Sequence, residues 1–166
     1  MTVTVRKFEA RDWPAVWQMM EPIIRAGETY PYAMDMDESG ARHMWLEVTD
    51  QVYVAETDDG DIVGTYYLKP NQPTLGAHVA NAGYMVSENA RGLGVATTMG
   101  SHSQQEALRR GYRAMQFNLV VRTNEASVHV WNKLGFDTVG VLPGAFLHPS
   151  DGYVDAYVMY KSLVAV

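Results

Sequence analysis

The stretch from Asn81 to Gly100, NAGYMVSENARGLGVATTMG, constrains the chain more than any other. A mostly apolar run reads as a buried strand, a short polar link follows, and Arg91-Gly-Leu-Gly-Val-Ala then opens a helical segment. A helix's first-turn N–H groups lack partners within the helix, and its dipole adds roughly half a positive charge there. Gly92, Gly94 and Ala96 carry little or no side chain, so an anion can approach the backbone from Gly92 through Leu93, Gly94 and Val95 to Ala96. Taken alone, the hexapeptide reads equally well as a small-residue helix packed tightly on a sheet.

Three phosphate motifs compete at this turn. A P-loop needs Gly-Lys-Ser/Thr, which is absent. A dinucleotide fold would place its glycines after an early strand, with an acidic residue about 20 positions on. Here the turn is mid-chain and position 97 is Thr. What remains is Arg-Gly-x-Gly-x-Ala running into a helix, with small residues continuing at Gly100, Ser103 and Ala107.

Composition narrows the partners. The 166 residues carry 13 Lys and Arg against 19 Asp and Glu, a net charge of −6. No basic run exceeds two residues, so no nucleic-acid partner is expected. Cysteine is absent, which removes disulfides, thiolate metal sites and cysteine nucleophiles, and no metal is expected. No window of about 18 apolar residues and no signal-peptide pattern occur, so the expectation is a cytoplasmic protein without a membrane partner. The length suits one domain over residues 1–166.

Periodicity orders the rest. VTVRKF alternates as a strand, and Asp12 is placed to cap a helix whose apolar face carries Trp13, Val16, Trp17, Met20, Ile23 and Ile24. Pro22 is expected to kink or end that helix. A second helix spans about Glu38 to Glu47. QVYVAE and DIVGTYYLK flank Asp59-Gly60, a hairpin signal. Then come a strand from His78 to Val86, a helix from Arg91 to Arg110 stopped by Gly111, the strand AMQFNLVV, a helix from Asn124 to Leu134, and two final strands. The order β-α-α-β-β-β-α-β-α-β-β predicts an α/β fold, a mixed sheet covered by helices.

Asn124 is a good N-cap before EASVHVWNKLGF and a side chain able to bond backbone or ligand amides, which makes it a cofactor-binding candidate. With this second landmark the chain resembles the GNAT superfamily of acyl-CoA-dependent N-acetyltransferases. The match rests on YMVSENARGLGVA, where Arg91, Gly94 and Ala96 fill the defined positions of the family turn, and on Asn124 through WNKLGF. The resemblance implies two splayed central strands, His78–Val86 and Ala114–Val121, with acetyl-CoA between them as cosubstrate. It implies that the cofactor arm pairs near Tyr84 to Val86 and that pyrophosphate sits on Gly92 to Ala96 beside Arg91. It also implies that an N–H near Met85 holds the developing oxyanion.

Two departures from the family stand out. Trp131 occupies the position where relatives often have a tyrosine acid, and indole cannot supply a proton near neutrality, so it is expected to pack against the cofactor arm or the core. Tyr84 and Tyr157 are the replacement candidates. The first splayed strand also lacks the frequent glutamate base, leaving Glu28, then Asp155, then His78. For the acceptor, Asn81 and Asn118 either bond across the splay or face substrate, with Glu28, Tyr30 and Tyr32 on the loop above. GETYPY, HVANAGYMV, QFNLVV and GYVDAYVMY look similar to the branch that acetylates amino acids and their analogues, including phosphinothricin and azetidine-carboxylate acetyltransferases. That implies a small amine as acceptor. A protein or peptide N-terminal acetyltransferase and a non-catalytic acyl-CoA sensor are the alternatives. The Met- and Tyr-rich final strands leave a homodimer open.

Overall fold

Each expected element forms, in the expected order, in a computed structural model that describes residues 2–165. Strands β1 (Val3–Lys7), β2 (Gln51–Thr57), β3 (Ile62–Pro70), β4 (Val79–Val86), β5 (Ala114–Val121), β6 (Asp137–His148) and β7 (Gly152–Ser162) make one sheet. Its order is β1-β2-β3-β4-β5-β7-β6, and β4–β5 is the parallel pair within it. Helices α1 (Trp13–Ala26) and α2 (Glu38–Arg42, continuing as a π turn over His43–Glu47) cover one face. Helices α3 (Val95–Arg109) and α4 (Glu125–Lys133) cover the other.

Strand alternation therefore feeds two cores. Trp13, Val16, Met20, Ile24, Trp45 and Met85 pack on the α1/α2 side. Tyr66, Leu68, Met99, Met115, Phe117 and Trp131 pack on the α3/α4 side.

Two local expectations change. Asp12 stands at the N-cap position of α1, but its carboxylate turns back to accept from Arg6 (2.7 and 2.9 Å) and from the backbone of Glu9 (2.8 Å). Its hydrogen bonds to Arg6 hold the carboxyl below its ordinary range. Pro22 does not end α1, which runs on to Ala26. The proline lies on the exposed side, and the buried row of Val16, Met19, Met20 and Ile24 carries the helix past the missing N–H.

Beneath the C-terminal half of α3, Glu106 is only 3% exposed. It accepts hydrogen bonds from Tyr53, Arg109 and Arg110. Tyr53 in turn stacks on Tyr66 at 4.8 Å, tying β2 and β3 to this helix. Burial alone would raise the Glu106 carboxyl, but the three donors outweigh it and hold it at about 2, against an ordinary 4.5. A carboxylate depressed in the folded state stabilises fully above its unfolded value and loses that contribution as pH falls through the folded one. Chemical-denaturation midpoints should accordingly fall between about pH 4.5 and 2, and Glu106→Gln should flatten that part of the profile.

Candidate active site

The centre of the sheet is open. Parallel pairing of β4 with β5 covers two register positions, Val79 with Ala114 and Ala80 with Met115, and the strands then diverge. Just beyond the last pair, Asn81 Nδ2 donates to Gln116 O at 3.0 Å, while its Oδ1 accepts from Tyr67 Oη at 3.4 Å. Asn81 is 7% exposed, so this amide acts as a pin at the fork.

Which β4 backbone groups face the gap follows from the ladder on its other side. Antiparallel pairs alternate between hydrogen-bonded and non-bonded positions. Ser87 N bonds Val63 O and Asn71 N bonds Val79 O, so the bonded pairs run through Met85–Thr65, Gly83–Tyr67 and Asn81–Lys69. Met85 therefore directs its N–H at β3, contrary to the expectation that it serves the gap. The groups of Ala82, Tyr84 and Val86 face β5 instead. At Tyr84 both are held by a side chain from the α1–α2 loop: Tyr30 Oη accepts from Tyr84 N at 2.6 Å and donates to Tyr84 O at 2.8 Å. Burial pushes the Tyr30 phenol well above its ordinary range, so it stays protonated.

At the wide end of the gap the chain turns directly into α3. Gly92 and Gly94 have φ of 77° and 80°, a region that disfavours other residues, and nothing lies within 4 Å of a Cβ at either. Arg91 N and Leu93 N are taken by Glu88 O and Ala90 O. Among the described residues no side chain caps α3. The N–H groups of Val95, Ala96 and Thr97 thus point out of the helix start. Arg91 is exposed alongside and makes no ion pair among the described residues. At the neighbouring helix, Asn124 Oδ1 accepts from Ser127 N at 3.3 Å and caps α4.

The remaining expected residues separate. Trp131 is buried in the α3/α4 core, 4.6 Å from the Tyr84 ring and 4.8 Å from Phe117. The Tyr84 side chain points into that same core and meets Ser103 Oγ at 2.6 Å. Burial raises its phenol, which makes it a weaker acid. Tyr157 packs against the edge of that core. Asp155 is committed to the Gly144 N–H (3.0 Å) and to Arg122 (3.3 Å). His78 is exposed at the closed end of the splay, away from the gap. Glu28 is exposed, two residues before Tyr30. Tyr32 stacks on Tyr30 at 5.3 Å, and Tyr30 meets Trp45 edge-on at 6.0 Å. Asn118 is exposed and bonded to Asn71 (2.8 Å) and Gln116 (3.0 Å), so both asparagines are engaged across the sheet. No cluster that could hold a metal ion occurs among the described residues, and no described helix is long and apolar enough to cross a membrane.

Two residues on this face were missed from the sequence. Tyr67 lies beside Asn81, and Lys69 Nζ sits 5.6 Å from the Tyr67 ring centre. Lys69 makes no ion pair among the described residues. Alternation in GTYYLKP puts both on one side of β3, but which side depended on the pairing with β4.

A half-open parallel pair with an uncapped, glycine-led helix at its mouth is the arrangement that the sequence resemblance implied. Residues 13–136 match the model of the acetyltransferase (GNAT) family, and the chain belongs to that family. It is 30% identical over 151 residues to the N-acetyltransferase aca1 of Schizosaccharomyces pombe, covering 81% of this chain and 72% of that one. The solved GCN5-related N-acetyltransferase from Kribbella flavida is 40% identical, with a TM-score of 0.91 over 96% of this chain and 97% of the other. A phosphinothricin acetyltransferase from Sinorhizobium meliloti, solved in complex with acetyl-CoA, shares the fold at 17% identity, with a TM-score of 0.86 over 98% and 89%.

The close approach of α3 and α4 is what frames the mouth. A Cβ at Gly100 would collide with Leu134 and lie 3.0 Å from Trp131. Gly100→Leu should lower stability by about 1–3 kcal/mol through overpacking, more than the gain of up to about 1 kcal/mol from removing a helical glycine. Urea titration followed by tryptophan fluorescence reads this directly.

Proposed function

We propose that the protein transfers acetyl from acetyl-CoA to the amine of a small molecule, an amino acid or close analogue, by direct attack in a ternary complex. The observation that carries this reading is the pairing of the splayed β4–β5 gap with the free N–H groups at the start of α3. Pyrophosphate would lie on the backbone of Gly92 and Gly94 to Ala96, with Arg91 alongside and Leu93 at the surface. The arm would run along β4 toward Val86. The N–H of Tyr84 faces the gap and that of Met85 does not, so in this reading Tyr84 would receive the thioester carbonyl and hold the oxyanion as the amine attacks. The C–N bond forms, the C–S bond breaks, the thiolate leaves with CoA, and the amine's proton passes to water or base.

Chemistry on the α1/α2 side supports a small polar acceptor. Tyr30, Tyr32 and Tyr67 wall it, Asn81 and Asn118 form its polar floor, and Lys69 supplies a cation suited to a carboxylate. Neither β4 nor β5 contains Asp or Glu, and Asp155 is paired, so Glu28 is the base this reading retains, acting through water. Trp131 packs the cofactor side and supplies no proton, which leaves the CoA thiolate to depart unassisted.

Thiol release from acetyl-CoA against amino acids, their analogues, polyamines and short peptides tests this. Turnover should concentrate on one class of carboxylate-bearing amines. Lys69→Met should raise the acceptor KM about tenfold for those, with little change for an amine lacking the carboxylate. Turnover of peptides alone would favour a protein acceptor, and acetyl-CoA binding without turnover would favour a sensor.

The same reading includes self-association through the last hairpin. Val139, Val141, Leu142, Leu147 and Tyr153 are exposed on β6 and β7, while Pro143 and two register shifts interrupt the β6 edge. A homodimer through this hairpin is expected, and sedimentation equilibrium at micromolar concentration should give twice the chain mass. Val141→Lys should return it to one chain.

A further inference from the structure

The hydroxyl of Tyr30 lies where the reading above puts the thioester carbonyl. One phenolic oxygen satisfies both in-plane groups of Tyr84, accepting from its N–H at 2.6 Å and donating to its carbonyl at 2.8 Å. A β4 residue beyond the fork has no strand partner in this direction, since β5 has already diverged. Without Tyr30 these half-buried groups would lack a protein partner, and a polar group drawn from water without one is destabilising. Aromatic packing fixes the side chain: Tyr32 stacks on one face and Trp45 meets its edge. The residue belongs to the α1–α2 loop, which also carries Glu28 and Tyr32, so one side chain joins the acceptor wall to the acyl-holding backbone.

We infer that Tyr30 is a positioning residue whose hydroxyl competes with the acetyl carbonyl of acetyl-CoA for the Tyr84 N–H, so that seating the acetyl group displaces the hydroxyl and shifts the α1–α2 loop. This rests on the reading that acetyl-CoA occupies the splay. The competition is specific to the acyl group: in this reading the pantetheine amides of CoA pair further along β4, and CoA lacks the thioester carbonyl that would take the Tyr84 N–H, so it leaves the Tyr30 contact intact.

Isothermal titration of the full chain with acetyl-CoA and with CoA, for the natural protein and Tyr30→Phe, tests it. The phenylalanine variant keeps the ring packing and removes only the competing oxygen. Acetyl-CoA should bind the variant about three- to tenfold more tightly, the effect of one hydrogen bond no longer displaced, while CoA affinity changes by less than about twofold. Equal or weaker acetyl-CoA binding by the variant, or an equal gain for CoA, would overturn the inference while leaving the reading of the splay intact. Failure of the natural protein to bind either ligand would overturn that reading and this inference together. If the variant does not fold, hydrogen–deuterium exchange on the natural protein decides. Peptides covering residues 27–37 should exchange faster with acetyl-CoA than with CoA, and equal or slower exchange counts against displacement.

Discussion

A parallel ladder that stops after two register pairs leaves the backbone of Ala82, Tyr84 and Val86 facing a gap in the middle of a sheet. Backbone N–H and C=O groups tolerate burial poorly without partners, and much of the surrounding architecture answers that demand. Asn81 continues the ladder by one side-chain bond to Gln116 and closes the fork. Tyr30 reaches in from the α1–α2 loop and serves Tyr84. On the far side, antiparallel pairing of β5 with β7 shifts register between Phe117 and Val120, so β5 bends away while its outer neighbour stays attached. The gap is thus supported from both sides by ordinary sheet interactions, and α3 begins where it is widest.

Most of the fold was legible because period and punctuation agreed. The strand AMQFNLVV, the helix capped by Asn124, the Asp59-Gly60 hairpin and the stop at Gly111 all depend on chemistry within a few residues, and each formed where that chemistry placed it. Pro22 departed because tertiary burial of one helix face outweighed a single lost hydrogen bond. The catalytic backbone was less legible. Whether Met85 or Tyr84 turns its N–H toward the gap is a question of ladder phase, and that phase is set by contact with β3, not by anything within HVANAGYMV. Side-chain commitments were hidden for a similar reason. The oxygens of Asp155 are taken by Gly144 and Arg122, both distant in sequence, and Lys69 reaches the side of Asn81 only through the pairing of β3 with β4.

Strand β4 then performs three jobs with two consecutive residues. The side chain of Tyr84 enters the α3/α4 core, where it stacks on Tyr66, meets Trp131 at a tilt and bonds Ser103 on α3. The side chain of Met85 enters the α1/α2 core with Trp45 and Met20. In the plane of the sheet, Tyr84 faces the gap and Met85 faces β3. Two well-packed cores anchoring one strand from opposite faces leave it little freedom to drift, because a shift that relieved one face would open space in the other. The gap-facing N–H of Tyr84 is therefore held by packing on both sides, and the oxyanion role proposed for it would be a form of preorganisation that requires no charged residue in the gap. That also bears on the missing glutamate and tyrosine of many relatives. In the proposed reading a rigid backbone group holds the carbonyl and the thiolate leaves on its own, so deprotonation of the amine is the step that would depend most on the loop bearing Glu28 and Tyr30. Through Tyr30 that loop is joined to the gap-facing backbone of Tyr84 by a single side chain.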